Sequence, residues 1–242
     1  MVLAKYEVAY YQCFSCEFIQ TEEPYWLDEA YQQALNIEDT GIVHRNLLFA
    51  KRTNAILLFY FNKKGMFVDL GGGTGLFVRL MRDYGFDFYW EDPYTKNMFA
   101  RGFEYDGNKH IDIEAVTSFE CFEHFVDPIK EIDRMLSISQ SILFSTVPFI
   151  AGTPDPETWE YYTFGSGQHI SFFSLSSLDC IAEKYHLNLC TNRKSFHLLS
   201  KKPINNSLFN ILLKTSVLGM QVLTAPLMRS RLKSDIKIVA RL

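Results

Sequence analysis

Two groups of residues in this chain have types and spacings that could do chemistry. The first is Asp69-x-Gly71-x-Gly73-x-Gly75. It follows the β-prone run Met66-Phe67-Val68 and precedes Leu76, Phe77, Leu80 and Met81 at helical spacing, so it reads as strand, tight turn, helix. Glycines lack Cβ, so such a turn takes positive φ and lets a ligand reach the backbone, while the next helix aims unpaired N–H groups at the same place. Spacing excludes two ligand classes. A dinucleotide cradle needs Gly-x-Gly-x-x-Gly, but its third position is Leu76 counted from Gly71 and Val78 counted from Gly73, and no Gly-Lys-Ser/Thr follows for a P-loop. The second group is Glu120, Glu123 and His124, with His169 further on. Glu120 and His124 are four apart and can share a helical face with Glu123 alongside, so that a carboxylate orients the imidazole as a general base. An ordinary surface helix explains the same residues equally well.

These residues need a scaffold, and the pattern around them supplies one. Strand patterns at 66–70, 86–90, 115–119 and 141–147 alternate with helical patterns at 76–84, 95–103 and 127–136. An irregular aromatic insert covers 148–167, a helix capped by Ser174 follows over 175–185, and 187–191 with 195–200 form a strand pair. Such alternation predicts an α/β fold with a parallel sheet covered by helices on both faces, and ligands then bind at the carboxyl ends of the strands. Ahead of the sheet, a helix over 22–31 and another over 41–61, stopped at Asn62-Lys63-Lys64-Gly65, are placed to cap it. The chain therefore divides into an N-terminal cysteine segment with capping helices (1–64), a ligand-binding domain (65–203) and a basic C-terminal helix and tail (204–242).

The ordered motifs resemble class I S-adenosylmethionine-dependent methyltransferases. Asp69 to Gly75 looks like motif I, and Asp92 falls 21 residues after Gly71 at the end of the second strand. Glu120-Cys121-Phe122-Glu123-His124-Phe125-Val126-Asp127-Pro128 is similar to the segment after the fourth strand in methyltransferases of quinone biosynthesis. Trp159-Glu160-Tyr161-Tyr162 and Gly167-Gln168-His169 resemble the insert of a bacterial branch in which a cysteine segment precedes the domain, often with two Cys pairs against one here. The resemblance spans residues 10–203. It implies a Rossmann-like, seven-stranded, mostly parallel sheet with an antiparallel last strand. It also implies S-adenosylmethionine as cofactor and S-adenosylhomocysteine as product. Gly71, Gly73 and Gly75 would approach the cofactor, with Asp69 fixing the turn through backbone hydrogen bonds and Asp92 accepting from the ribose hydroxyls. Glu120 would line the methionine pocket, and Arg45 is a candidate partner for the cofactor's carboxylate. His124, Glu123 and His169 are the catalytic candidates, and Tyr161, Tyr162 and Trp159 the acceptor-pocket candidates. A cofactor-binding sensor or scaffold without turnover is the rival class.

Composition bounds the rest. At 242 residues and 48% hydrophobic content the chain can bury a full core, and 15% aromatics leave rings for a cleft. Five scattered cysteines and an N-terminus without an apolar signal core predict a reduced, cytoplasmic protein. Cys13 and Cys16 lack a second ligand pair at usable spacing, so no metal is assigned, and His44, His110, His186 and His197 share no ligand spacing. From 201 to 242 there are eight basic residues against one acid, Asp235, a charge of +7 that leaves −11 for the rest of a chain whose net charge is −4. An acidic body disfavours nucleic acid as substrate and fits a small molecule. The tail is expected to pack on the body or in a homodimer, with peripheral membrane contact the minor alternative.

Overall fold

The structure, a computed structural model, describes residues 1–32, 39–107, 112–218 and 228–241. Its centre is a six-stranded sheet. Strands β3 (Met66–Leu70), β4 (Asp87–Glu91), β5 (Ile113–Ser118) and β6 (Ser141–Phe144) run parallel, and β8 (Asn188–Thr191) and β9 (His197–Ser200) close it in the order β4-β3-β5-β6-β9-β8. The last strand in the sequence, β9, is antiparallel to both neighbours. Alternate side chains along each strand enter opposite cores. Phe67, Phe88, Ala115 and Leu143 face α2 (Ile42–Tyr60), α3 (Leu76–Asp83) and α6 (Asn206–Val217), whereas Val68, Val116, Ile142 and Phe144 face α4 (Pro128–Ile138) and α5 (Leu175–Lys184).

Local chemistry explains several boundaries. Asp127 caps α4, accepting from the Lys130 N–H at 3.0 Å, with Pro128 in the first turn, where its missing N–H costs nothing. Ser174 caps α5 in a capping box with Ser177, as its position predicts, and its hydroxyl also donates to the Cys16 carbonyl at 2.6 Å.

Three expectations are corrected among the described residues. The sheet has six strands instead of seven: beyond β4 only one parallel bridge forms, Trp90 to Glu104. The helix expected over 95–103 is a series of turns, because the Asp92 carboxylate takes the Tyr94 and Thr95 N–H groups and the Asn97 side chain takes that of Ala100. The helix expected over 22–31 shortens to α1 (Leu27–Ala30).

The cysteine segment forms a second sheet. Strands β1 (Tyr10–Gln12) and β2 (Ile19–Thr21) make a hairpin, and β2 pairs antiparallel with β7 (Ser171–Phe172), the chain leaving the aromatic insert. Cys13 and Cys16 lie in the hairpin turn with free thiols. At the other terminus α7 (Leu232–Val239) lies against α3, while residues 219–227, including Gln221 and Pro226, fall outside the described set, as does His110.

Candidate active site

The chain leaves β3 through Gly71, Gly73 and Gly75 at φ of 70°, 51° and 82°. The three are not equivalent. A Cβ on Gly71 would stand 2.4 Å from Cys121 Sγ and one on Gly75 2.7 Å from Asn97 Oδ1, but one on Gly73 meets nothing within 4 Å. Gly73 alone of the three therefore opens onto free space. Trp90 steadies it by donating from Nε1 to its carbonyl at 2.9 Å, and the Gly71 and Gly72 N–H groups donate to the Glu91 carbonyl.

Asp69 has a different partner from the one expected. Its buried carboxylate accepts from the Thr117 hydroxyl at 2.5 Å, because β3 and β5 pair in a register that sets Asp69 opposite Thr117. Burial raises its pKa to about 7, with the Asp92 charge adding to the rise and Thr117 opposing it. Asp92 leaves β4 with its carboxylate at the open glycine: Oδ2 accepts from the Gly73 N–H at 2.9 Å, and Oδ1 from Tyr94 and Thr95. Glu91 instead pairs with Arg134 of α4.

Beyond β5 the chain passes Glu120, a non-glycine residue at φ 54°. Its Oε1 accepts from Ser145 Oγ at 2.6 Å, and its Oε2 lies 3.2 Å from Arg45 Nε. Arg45, in the first turn of α2, also donates to Asp39 at 2.6 Å, so it is engaged on the site side of its helix. The expected pairing of Glu120 with His124 does not form. Residues 120–124 are not one helical face, since only Phe122–His124 makes a single 3-10 turn, and Glu120 is committed to Ser145 and Arg45.

Glu123, His124 and His169 come together. One ligand atom from each lies within 4.8 Å of the others, and the two imidazoles stand edge to face at 4.9 Å. His124 Nδ1 is 3.0 Å from the Gln168 carbonyl and 3.0 Å from the Tyr31 hydroxyl, and His169 Nδ1 is 2.7 Å from the Tyr161 carbonyl. A carbonyl only accepts, so the His169 contact needs its proton on Nδ1; the same tautomer in His124 serves the Gln168 carbonyl with the Tyr31 hydroxyl accepting as well, and in both rings it leaves a lone pair on Nε2. Burial lowers His124 to about 4 and His169 to about 3, with the neighbouring His124 adding to the latter. Glu123 is 1% exposed, and burial together with the Glu120 charge raises its pKa.

The aromatic insert divides between two tasks. In the 3-10 turn Glu160–Tyr162 adjacent side chains diverge by about 120°. The Tyr161 ring thus lies 4.8 Å from that of His169, while Tyr162 turns into the aromatic cluster, where it is 4% exposed and its hydroxyl donates to the Pro154 carbonyl. Trp159 packs on Tyr162, Phe149 and Phe172 in that cluster. Tyr162 and Trp159 thus bind the insert to the hairpin sheet, with Trp159 half-buried and also packed on Tyr161. Sequence reasoning missed Thr117, Ser145, Gln168 and Tyr31. Ser145 carried a signal, a polar residue ending an apolar strand, but Thr117 and Tyr31 enter only through strand register and chain crossing.

Comparison with known proteins agrees with this architecture. A family model described as a methyltransferase domain matches residues 43–192. No curated protein matches in sequence. Among solved structures, an O-methyltransferase family protein from Burkholderia thailandensis aligns at 11% identity with a TM-score of 0.53, covering 74% of this chain and 64% of that one. An O-methyltransferase family 2 protein from Planctomyces limnophilus, complexed with apigenin, aligns at 12% identity with a TM-score of 0.49, covering 74% and 62%. This chain thus spans about two-thirds of the length of the Burkholderia protein, and that likeness concerns the fold. With the family model covering more than half of the sequence, the chain belongs to the methyltransferase-domain family.

Proposed function

We propose that this protein transfers the methyl group of S-adenosylmethionine to a small-molecule acceptor. The observation that carries the reading is the open Gly73 with the Asp92 carboxylate at its N–H, at the carboxyl end of the parallel strands. There a ribose can meet backbone and a bidentate acceptor together. Glu120 and Arg45, at the ends of β5 and the start of α2, would receive the methionine amine and carboxylate by exchanging partners with their own ion pair. The motifs after β5 and in the insert favour the branch related to quinone-biosynthesis methyltransferases, and five free thiols suit a reducing cytoplasm.

The sulfonium is already a good leaving group, so the protein's task is alignment and exclusion of water. The acceptor oxygen, carbon or nitrogen attacks the methyl carbon in line, the C–S bond breaks, and S-adenosylhomocysteine leaves as a neutral thioether. Tyr161, His169, His124 and Glu123 wall the acceptor side. The test is calorimetry. S-adenosylmethionine should bind to the purified protein at micromolar level, and Asp92→Ala should weaken it by at least about 100-fold, the effect of two lost charge-assisted hydrogen bonds of about 1.5–3 kcal/mol each. Equal affinity in the variant would rule out Asp92 as the ribose acceptor.

A further inference from the structure

We propose that Glu123, His124 and His169 are the protein ligands of a first-row divalent cation of the zinc type, whose open positions take a hydroxyl of the acceptor. The proposal rests on the methyl-transfer reading above and narrows its acceptor to an oxygen nucleophile.

The three side chains arrive from separate segments, the 3-10 turn after β5 and the stretch entering β7, and converge to within 4.8 Å. Each imidazole spends Nδ1–H on a backbone carbonyl, Gln168 for one and Tyr161 for the other. That second contact fixes the tautomer and presents Nε2 as a lone pair, the outer-shell arrangement of metal-binding histidines. Glu123 is 1% exposed, and its Oε2 has no hydrogen-bond partner among the described residues. A buried carboxyl oxygen without a donor is costly, and a cation removes that cost. The nearby guanidinium of Arg45 does not serve, being held by Asp39 and Glu120.

A plain hydrogen-bond cluster explains less. Such a cluster would join the three side chains to one another, whereas both Nδ1 atoms go to backbone, Glu123 Oε2 is left without a donor, and the carboxyl's one neighbouring donor, the Tyr161 hydroxyl, is shared with Thr146 and Val147. The donor set selects the ion. Two imidazoles and one carboxylate suit zinc, cobalt or iron(II), while calcium and magnesium prefer all-oxygen shells. Bonds of about 2.0–2.2 Å require small side-chain rotations that draw the three atoms closer. Three protein ligands leave positions open. A hydroxyl bound there loses its proton to water, and the resulting oxyanion attacks the methyl carbon as the C–S bond breaks; no oxidant or reductant takes part.

The experiment titrates the full-length, chelator-treated protein with Zn²⁺ by calorimetry and with Co²⁺ by visible absorption, with S-adenosylmethionine binding measured on the same samples. One equivalent should bind, and His169→Ala and Glu123→Gln should each weaken it by at least about 100-fold. A Cys13→Ser/Cys16→Ser variant should retain it. Loss of binding in the cysteine variant, or unchanged binding in both site variants, would move the ion to the hairpin thiols and overturn the proposal, as would no binding at all. If a site variant fails to fold, anomalous scattering from zinc-soaked wild-type crystals decides by the presence or absence of a peak between Glu123, His124 and His169. Cofactor binding without metal binding defeats this proposal and leaves methyl transfer standing; metal binding without cofactor binding keeps the ion site but defeats methyl transfer and, with it, the acceptor role of the open positions.

Discussion

The same substitution has different consequences at Gly71 and Gly73. Each holds positive φ, so alanine costs about 1–2 kcal/mol at either from backbone strain alone. At Gly71 the new methyl also meets Cys121 Sγ at 2.4 Å, whereas at Gly73 it enters empty space. Gly71→Ala is therefore expected to lower the melting temperature more, and Gly73→Ala to lower cofactor affinity more, because the space its methyl fills is the proposed ligand's. Thermal melts and calorimetry on the two variants separate the effects. His197 gives a pH test away from the site. It is fully buried, its Nε2 donates to the Thr146 carbonyl and its Nδ1 accepts from Thr191, and burial lowers its pKa to about 4. The unfolded chain, with a histidine near 6.5, binds more protons between those values, so this contribution is complete above about pH 6.5 and is lost as pH falls towards 4. The stability gap between wild type and His197→Gln should thus shrink by about 1–2 kcal/mol from pH 7 to pH 5 in urea unfolding. A constant gap would mean that His197 titrates normally in the fold.

At the scale of elements, α7 is held by one charge cluster. Asp235 is 3% exposed and receives Arg82 Nε and Nη2 at 2.8 Å each, with Arg79 Nη2 at 2.9 Å. The lone acid of the basic tail is thus its anchor. Arg82 is itself 1% exposed, also reaching Asp87 and the Phe88 carbonyl. Removing one partner of a buried pair leaves the other charge stranded, at a cost of about 3–5 kcal/mol unless the element detaches first. Asp235→Ala should therefore release α7, and hydrogen exchange over 232–239 should accelerate far more than in the sheet. Equal acceleration everywhere would make α7 part of the global cooperative unit. Helices α3, α4 and α5 were legible because each carries its own apolar stripe and two carry capping residues. The turns at 95–103 were not, since they depend on where the Asp92 and Asn97 side chains point.

The whole molecule has two layers of different origin. The six-stranded sheet carries the glycine turn and Asp92, while the hairpin sheet, α1 and the insert carry Tyr31, Gln168 and His169 over it. Trp26 joins parts of this upper layer: it is 1% exposed and donates to the Gly167 carbonyl at 2.8 Å. Trp26→Ala, with a cost of about 3–5 kcal/mol for a buried aromatic, should loosen that layer first. The expected outcome is faster hydrogen exchange across 164–170 with S-adenosylmethionine affinity within about threefold of wild type. Affinity lost in step with exchange would make the two layers one unit. No described helix is long and apolar enough to cross a membrane, and α6 packs its buried Phe209, Leu212 and Leu213 into the core beside α2.

The sequence by itself determined the alternating sheet, the glycine turn, the position of Asp92 and the cap of α5. All of these rest on neighbours within a few residues, where spacing and backbone preference act directly. Only the tertiary structure decided that Asp69 meets Thr117, that Glu120 takes Arg45 and not His124, and that Tyr162 turns away from the site. It also decided that His169 joins Glu123 and His124 across 45 residues of chain. Those pairings depend on strand register and on how the insert crosses the sheet edge, and burial sets their energies. No spacing along the chain encodes either.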